Sequence, residues 1–300
     1  MPPAPTTSTR AACLAAMMFL TACSRHEAGP PPRPAVRTAV PAPAAAPAST
    51  PANAPANAPT LAEREGKEWM RAIFEDAYDP AKERALVVEG EFRTLMTLAS
   101  GIRLADGRTV AIVNGVGADE DGNDIGGYAT PGTLNVYFLK RGGKGWEVLE
   151  RREDVAQVGV RGDIGDVEWV TLGPGKQGFM LKSGGVWQGY LVAGADIFVL
   201  DDETRQLGMV RTMADNTGAC SAESDDCWRI EADIRVDTVA QATAYADILL
   251  DYHGEHFRIS EGKDGKQVEH VTSTVKQTAR WRYDGKQYVL VSGTDPLPQF

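Results

Sequence analysis

The chain is 300 residues long, with 31 Lys and Arg against 41 Asp and Glu and a formal net charge of −10 at pH 7. That balance excludes nucleic acid and anionic lipid as the main partner, because both demand clustered cations. It fits a basic protein partner, and equally an acidic surface that only keeps the chain in solution.

The first residues form a short polar stretch ending in Arg10, followed by an apolar run from Ala11 to Leu20. The run is about half of what a helix needs to cross a roughly 30 Å hydrocarbon core, so it reads as a signal-peptide core rather than a membrane span. Leu20-Thr21-Ala22-Cys23 then closes it. This tetrapeptide resembles the lipobox of bacterial lipoproteins, in which small residues precede a cysteine that receives a diacylglycerol. The resemblance implies cleavage after residue 22, lipidation at Cys23 and a membrane partner through that lipid. The aspartate that retains such proteins at the inner membrane is replaced by Ser24. In a two-membrane cell this points to the inner leaflet of the outer membrane, facing the periplasm. An ordinary cleaved signal with an incidental cysteine is the alternative.

Residues 23–60 read as a tether rich in Pro and Ala, including the repeat Pro51-Ala-Asn-Ala-Pro55-Ala-Asn-Ala-Pro59. Such a segment has too few large apolar side chains to offset its ordering entropy, and its prolines favour extended polyproline II. At about 3.1 Å per residue it reaches on the order of 100 Å. Residues 61–300 are long enough for a sizeable core and contain no second linker, so a single, mainly β domain is expected there.

Within that domain one helix is expected, at about 61–77, where Trp69, Ile73 and Phe74 recur at helical spacing before Asp79-Pro80. The rest reads as strands and turns. Residues 109–113, 134–139, 196–200, 228–236 and 288–291 are rich in β-branched and aromatic residues. From Trp228 to Val236 the apolar residues fall at every second position, which leaves Arg229, Glu231, Asp233 and Arg235 on a wet face. Asp106-Gly107, Asp264-Gly265 and Asp284-Gly285 predict two-residue type I′ hairpins, and Arg141-Gly142-Gly143-Lys144 serves the same purpose. The expected fold class is all-β, built mainly of antiparallel hairpins as a propeller-like array or a large sandwich, with one N-terminal helix. The regular turns and 31 glycines favour the propeller-like form.

Asp119, Asp121 and Asn123 place oxygens at alternating positions in the loop Gly117–Gly126, as a caged hard cation requires. The loop resembles calcium-binding turns of the EF-hand and FG-GAP propeller kind, and the resemblance implies calcium held by those three residues. It carries glycine at the fourth position instead of the sixth, and Thr130 where a twelfth-position glutamate belongs. A solvated acidic turn is the alternative. Asp163, Asp166 and Glu168, or Asp201 and Asp202, are carboxylates of the kind a glycosidase pairs; acidic surface groups at strand ends look the same.

Residues 167–190 combine glycines with aromatics, and Ser183-Gly184 precedes Trp187 and Tyr190. Aromatic residues on loops make strong interface anchors. The segment is loosely similar to the Ser-Gly loops that periplasmic lysozyme-inhibitor lipoproteins insert into a hydrolase cleft. That similarity implies Ser183, Gly184, Trp187 and Tyr190 as partner-binding residues; a hairpin with core aromatics is the other reading.

Of the 4 cysteines, Cys13 leaves with the signal and Cys23 takes lipid, so Cys220 and Cys227 remain to form a disulfide. Closing that short loop is worth roughly 2 to 3 kcal/mol. A zinc pair would need two further ligands, and none lies nearby. His253-Gly254-Glu255-His256 reads as a tight turn, with two imidazoles facing across a hairpin. There is no HExxH, GxSxG, Walker loop or CxxC to mark a hydrolase. No catalytic residue is assigned. The functional expectation is a lipid-anchored binding protein that acts as inhibitor or immunity protein toward a peptidoglycan hydrolase, itself a basic partner. An envelope glycan enzyme using Asp163 and Asp166, and an envelope assembly lipoprotein, are the alternatives.

Overall fold

The computed structural model describes residues 60–224, 226–239, 243–264 and 266–299, so the expected signal, Cys23 and all of the expected tether before Thr60 lie outside the described residues. Helix α1 spans Leu61–Phe74, and a 3-10 turn, Glu75–Ala77, continues it. Thr60 begins the helix with a reciprocal cap: its hydroxyl accepts from the Glu63 amide at 3.2 Å, and the Glu63 carboxylate accepts from the Thr60 amide. Glu75 turns the chain out of the helix at φ 50°. Asp79 then accepts from the amides of Ala81 and Lys82 around Pro80.

Among the described residues fourteen strands follow, all antiparallel. The first sheet is a meander of β1 (Tyr78–Asp79), β2 (Arg84–Glu89), β3 (Phe92–Arg103), β4 (Thr109–Gly117), β5 (Gly132–Gly142) and β6 (Gly145–Val158). The second is a meander of β7 (Asp166–Gly173), β8 (Lys176–Trp187), β9 (Tyr190–Leu200), β10 (Thr204–Asp215), β11 (Cys227–Asp237), β12 (Asp247–Glu261), β13 (Gln267–Tyr283) and β14 (Tyr288–Gly293). The all-β class with one helix is therefore what the chain adopts. Of the two expected forms it is the packed-sheet one; among the described residues, six- and eight-stranded meanders stand in place of radial blades.

The second sheet is joined at its middle by only three pairs, Met213↔Glu231, Ala214↔Ile230 and Asp215↔Arg229. Beyond them β11–β14 fold back over β7–β10. Val170, Met180, Ile197 and Val210 from one half meet Ile230, Leu250, Tyr252 and Tyr288 from the other in a common core. The Ala246 amide donates to the Leu172 carbonyl at 2.7 Å, and Arg205 donates to the Tyr283 hydroxyl at 2.9 Å, so polar bonds cross the same seam.

The opposite face of β8 and β9 is also buried. Phe179, Leu181 and Phe198 pack against Val110, Ile112, Leu134, Val136 and Phe138 of the first sheet. Residues alternating with those, Ala111, Val113, Tyr137 and Leu139, pack on the far face under Trp69, Met70 and Ile73 of α1. The order is thus helix, first sheet, β7–β10, β11–β14, with a core at each junction. Period-two alternation explains why Val110–Val113 and Phe179–Leu181 are apolar without interruption, whereas β11 alternates: only the inner strands have two dry faces.

The Asp106-Gly107 and Asp284-Gly285 turns are present but not of the expected type; Gly265 of the third lies outside the described residues. A type I′ turn needs positive φ at both central residues. Here Gly107 and Gly285 have φ 86° and 104°, while Asp106 and Asp284 are absent from the positive-φ residues. Each aspartate instead accepts a backbone bond ahead of it, Asp106 from Arg108 at 2.9 Å and Asp284 from Lys286 and Gln287 at 2.8 Å.

Asp247, at the start of β12, has a fully buried side chain that accepts from Arg280 at 2.9 Å and from Arg282 at 3.0 and 2.8 Å. Arg282 foremost, with Arg280, holds its carboxyl below the usual range against a burial effect that acts the other way. Its contribution is therefore present at neutral pH and lost as pH falls through the depressed folded value, below the unfolded value of about 3.9. Asp247→Asn should lower stability at pH 7 and flatten the acid limb of a pH–stability curve measured by denaturant unfolding. Trp69, fully buried, stands over Gly101 and edge-on to Trp146 at 5.9 Å. Trp69→Ala should cost about 3 to 5 kcal/mol in the same assay.

Candidate functional site

β8 and β9 pair without interruption from Gly178↔Val199 to Trp187↔Tyr190, closing through Gln188-Gly189. Both turn residues have positive φ, 49° and 86°, so the type I′ hairpin is here, where the sequence carries no Asp-Gly. Glycine is required at 189 for a second reason: a Cβ there would lie 2.4 Å from the Gly218 carbonyl carbon and 2.5 Å from the Ala219 nitrogen. The turn is thus seated on the short 3-10 segment Thr217–Ala219, and Tyr190 lies 6.2 Å from Trp228 beside it.

That seat is held by the Cys220–Cys227 disulfide, whose Cα atoms are 6.0 Å apart. Cys227 is buried with Phe257 and Ile259. Asn216, also buried, accepts from the Trp228 amide at 2.7 Å and donates to the Asp226 carbonyl at 3.3 Å. On the other flank the Tyr128 hydroxyl donates to the Val186 carbonyl and accepts from the Val186 amide at 2.6 Å. The Arg161 guanidinium covers the Tyr128 ring at 4.6 Å.

The hairpin tip is therefore clamped on both sides, yet its outer surface is apolar and open. Trp187 is 66% exposed, Val186 47%, and Ile125 and Tyr128 of the flanking loop are 63% and 40%. The elements that flank it carry acidic residues: Asp119, Glu120, Asp121 and Asp124 precede Ile125 and Tyr128 in the chain, and Glu223 and Asp226 lie in the loop between Cys220 and Cys227. Of the four residues expected to bind a partner, only Trp187 points out at the tip. Tyr190 turns in toward Trp228. Ser183 and Gly184 are ladder residues opposite Gly194 and Ala193, not a loop; a Cβ on Gly184 would meet that of Ala193 at 2.8 Å. Tyr128 and Arg161 escaped the sequence reading because their partners are distant along the chain, and Asn216 because a lone asparagine before the Cys220–Cys227 loop carries no signature of its bonds across it.

The other expected sites are placed as follows. The Asp119 carboxylate closes its own turn, accepting from the amides of Asp121 at 3.0 Å and Asn123 at 2.7 Å and from the Asn123 side chain at 3.1 Å. The bonds from Asn123 chiefly hold its carboxyl below the ordinary range. Among the described residues no group of three or more His, Cys, Asp or Glu is arranged to hold a metal ion. His253 and His256 do not flank a turn: both lie within β12, where Gly254 lets the Arg229 carbonyl approach to 2.2 Å of a would-be Cβ. His253 meets Glu231 at 3.0 Å and His256 meets Asp226 at 3.0 Å, so each imidazole has its own carboxylate.

Asp163 accepts from the Gly165 amide at 2.7 Å, and Glu168 is ion-paired with Lys182. Asp201 and Asp202 line a cavity of about 440 Å³ with Arg108, Glu150, Arg152 and Lys176. Burial pushes the Asp201 carboxyl up, but hydrogen bonds from Lys176 and Tyr245 outweigh it and the net direction is down, opposite to what a general acid needs. Among the described residues no helix is long and apolar enough to cross a membrane. No family model matches this chain, and neither a curated protein nor a solved structure does.

Tyr128→Phe removes both hydrogen bonds to Val186, of which the one accepted from the Val186 amide is worth about 1 kcal/mol net, and should speed exchange of that amide by roughly fivefold to tenfold. Hydrogen-exchange mass spectrometry of residues 183–190 checks this, with the midpoint of global unfolding expected to change little.

Proposed function

We propose that this chain is an extracytoplasmic binding protein that presents the β8–β9 tip to a basic protein, in its specific form a peptidoglycan hydrolase whose cleft the tip occupies. The observation that carries the reading is Trp187: a large aromatic, two-thirds exposed, on a turn fixed from both flanks. Exposing such a side chain on a preorganised element costs little further ordering on binding, and buried Trp anchors dominate interface energetics. The acidic segments beside it, on a chain of net charge −10, supply complementarity to a cationic partner and speed encounter.

Calcium is no part of this proposal.

The test is binding of the chain to a panel of purified basic muramidases and lytic transglycosylases, with turnover on sacculi as the second readout. One of them should bind and be inhibited, more weakly at high salt because the charge contribution is screened. Trp187→Ala should weaken that binding by about 2 kcal/mol or more, some 30-fold, without changing the melting midpoint. Binding that survives Trp187→Ala, or cleavage of sacculi by the chain alone, would contradict the proposal.

A further inference from the structure

The outer face of the first sheet is covered by α1 over only part of its length. The helix lies over Ala111, Val113, Tyr137 and Leu139 and ends at Phe74. Beyond that end the face holds a cavity of about 380 Å³, with Phe74, Val87, Phe92 and Met96 as its apolar walls. The side chains that would fill it are missing, because on β4 the row Ala111, Val113 continues as Gly115 and Gly117. Gly115 pairs with Met96 and with Thr133, and a Cβ on it would lie 3.2 Å from both the Met96 Sδ and the Asn135 Nδ2. The Phe92 side chain is left 80% exposed at the rim.

The charge of this cavity is set by β6. Between Leu134↔Ala156 and Val136↔Arg152, three residues of β6 stand opposite Asn135 alone. Successive residues of a regular strand point to opposite faces, whereas a bulge re-aims its side chains. Here Glu153 and Asp154 both line the cavity. Asn135, 1% exposed, holds the bulge: its Oδ1 accepts from the Asp154 amide at 3.0 Å, and its Nδ2 donates to the Thr133 carbonyl at 3.1 Å. Glu89 is a third carboxylate in the lining, against one cation, Arg151. That guanidinium is already committed, donating to the Ile73 carbonyl at 2.6 Å and lying 3.6 Å from Glu153. Among the described residues no cation pairs with Glu89 or Asp154. The site is therefore net negative, and it adjoins the C-terminal, negative end of the α1 dipole.

We propose that this cavity binds a small organic cation, an amine or quaternary ammonium carried on an apolar body. The charged head is matched by Glu89 and Asp154, and the apolar body by Phe74 and Phe92, whose ring faces also attract a cation. An anion is repelled by the same carboxylates, and a neutral ligand leaves them unpaired. A cavity of this size takes a one-ring amine. Trp187 does not line it, so the site is separate from the β8–β9 tip.

The test is a ligand-observed NMR titration of the full chain, in a mild non-ionic detergent at neutral pH. Its probes are phenethylammonium, the neutral counterpart 2-phenylethanol and the anion phenylacetate. Phenethylammonium should bind saturably, and the other two at least about fivefold more weakly. Glu89→Gln combined with Asp154→Asn should weaken the ammonium by about fivefold, and asparagine readily keeps the φ of 51° at that position. Phe92→Ala should weaken it by about threefold. The melting midpoint should not change in either variant, because all three side chains are exposed. Trp187→Ala should leave amine binding as it is, so failure of the tip and failure of this site are read separately. No saturable binding, equal binding of the alcohol, indifference to the charge variant, or capture of a lysine-rich peptide in place of the free amine would overturn the proposal.

Discussion

The double burial of β4, β5, β8 and β9 is the constraint on which the rest of this structure depends. Each of these strands feeds one core with its even side chains and another with its odd ones: Val110 and Ile112 against Ala111 and Val113, Phe179 and Leu181 against Met180. A shift of one residue in such a strand would exchange both sets at once. Register is therefore specified twice over in the middle of the molecule. The outer layer, β11–β14, has one dry face and carries Arg–carboxylate pairs on the other, such as Arg229 with Glu255 and Arg235 with Asp251.

The hairpin tip follows from that arrangement. β8 and β9 leave the doubly buried zone near Leu181 and Ala195, and their burial falls away toward Trp187 and Tyr190. A hairpin that runs clear of its layers is marginal alone. Here Tyr128 holds one flank, and the disulfide-braced Thr217–Ala219 segment holds the other. The disulfide thus has two tasks, seating the turn on one side and packing under Phe257 and Ile259 on the other. What remains unsupported is the outward face of Trp187, and it is the face available to a partner.

Much of this was legible in the sequence, and the limits have physical causes. The strands at 109–113, 134–139, 196–200, 228–236 and 288–291 all form, because β-branched runs and strict alternation report local burial directly. The Cys220–Cys227 pairing was the simplest expectation once Cys13 and Cys23 were assigned to the signal and the lipid, and it forms. Turn type was misread because Asp-Gly signals a turn while the aspartate can serve by its side chain instead of its φ, and the actual type I′ pair, Gln188-Gly189, carries no such signature. His253-Gly254 looked like a turn because glycine also marks a close backbone approach inside a strand. Four stacked layers were not legible at all, since the fold-back at β10–β11 is a long-range event decided by which faces are dry. The same holds for Tyr128 and Val186, joined across the sheets and far apart in sequence.

Native-state hydrogen exchange with fragment-level mass readout tests the central claim most directly, because it ranks the layers by the free energy needed to open them. The account predicts that residues 179–181 and 195–199 exchange only through global unfolding, outlasting both α1 and β11–β14. If the amides of β12 or α1 prove the slowest while β8 and β9 open first, the doubly buried strands are not what holds the molecule together, and the rigid support inferred for Trp187 falls with them.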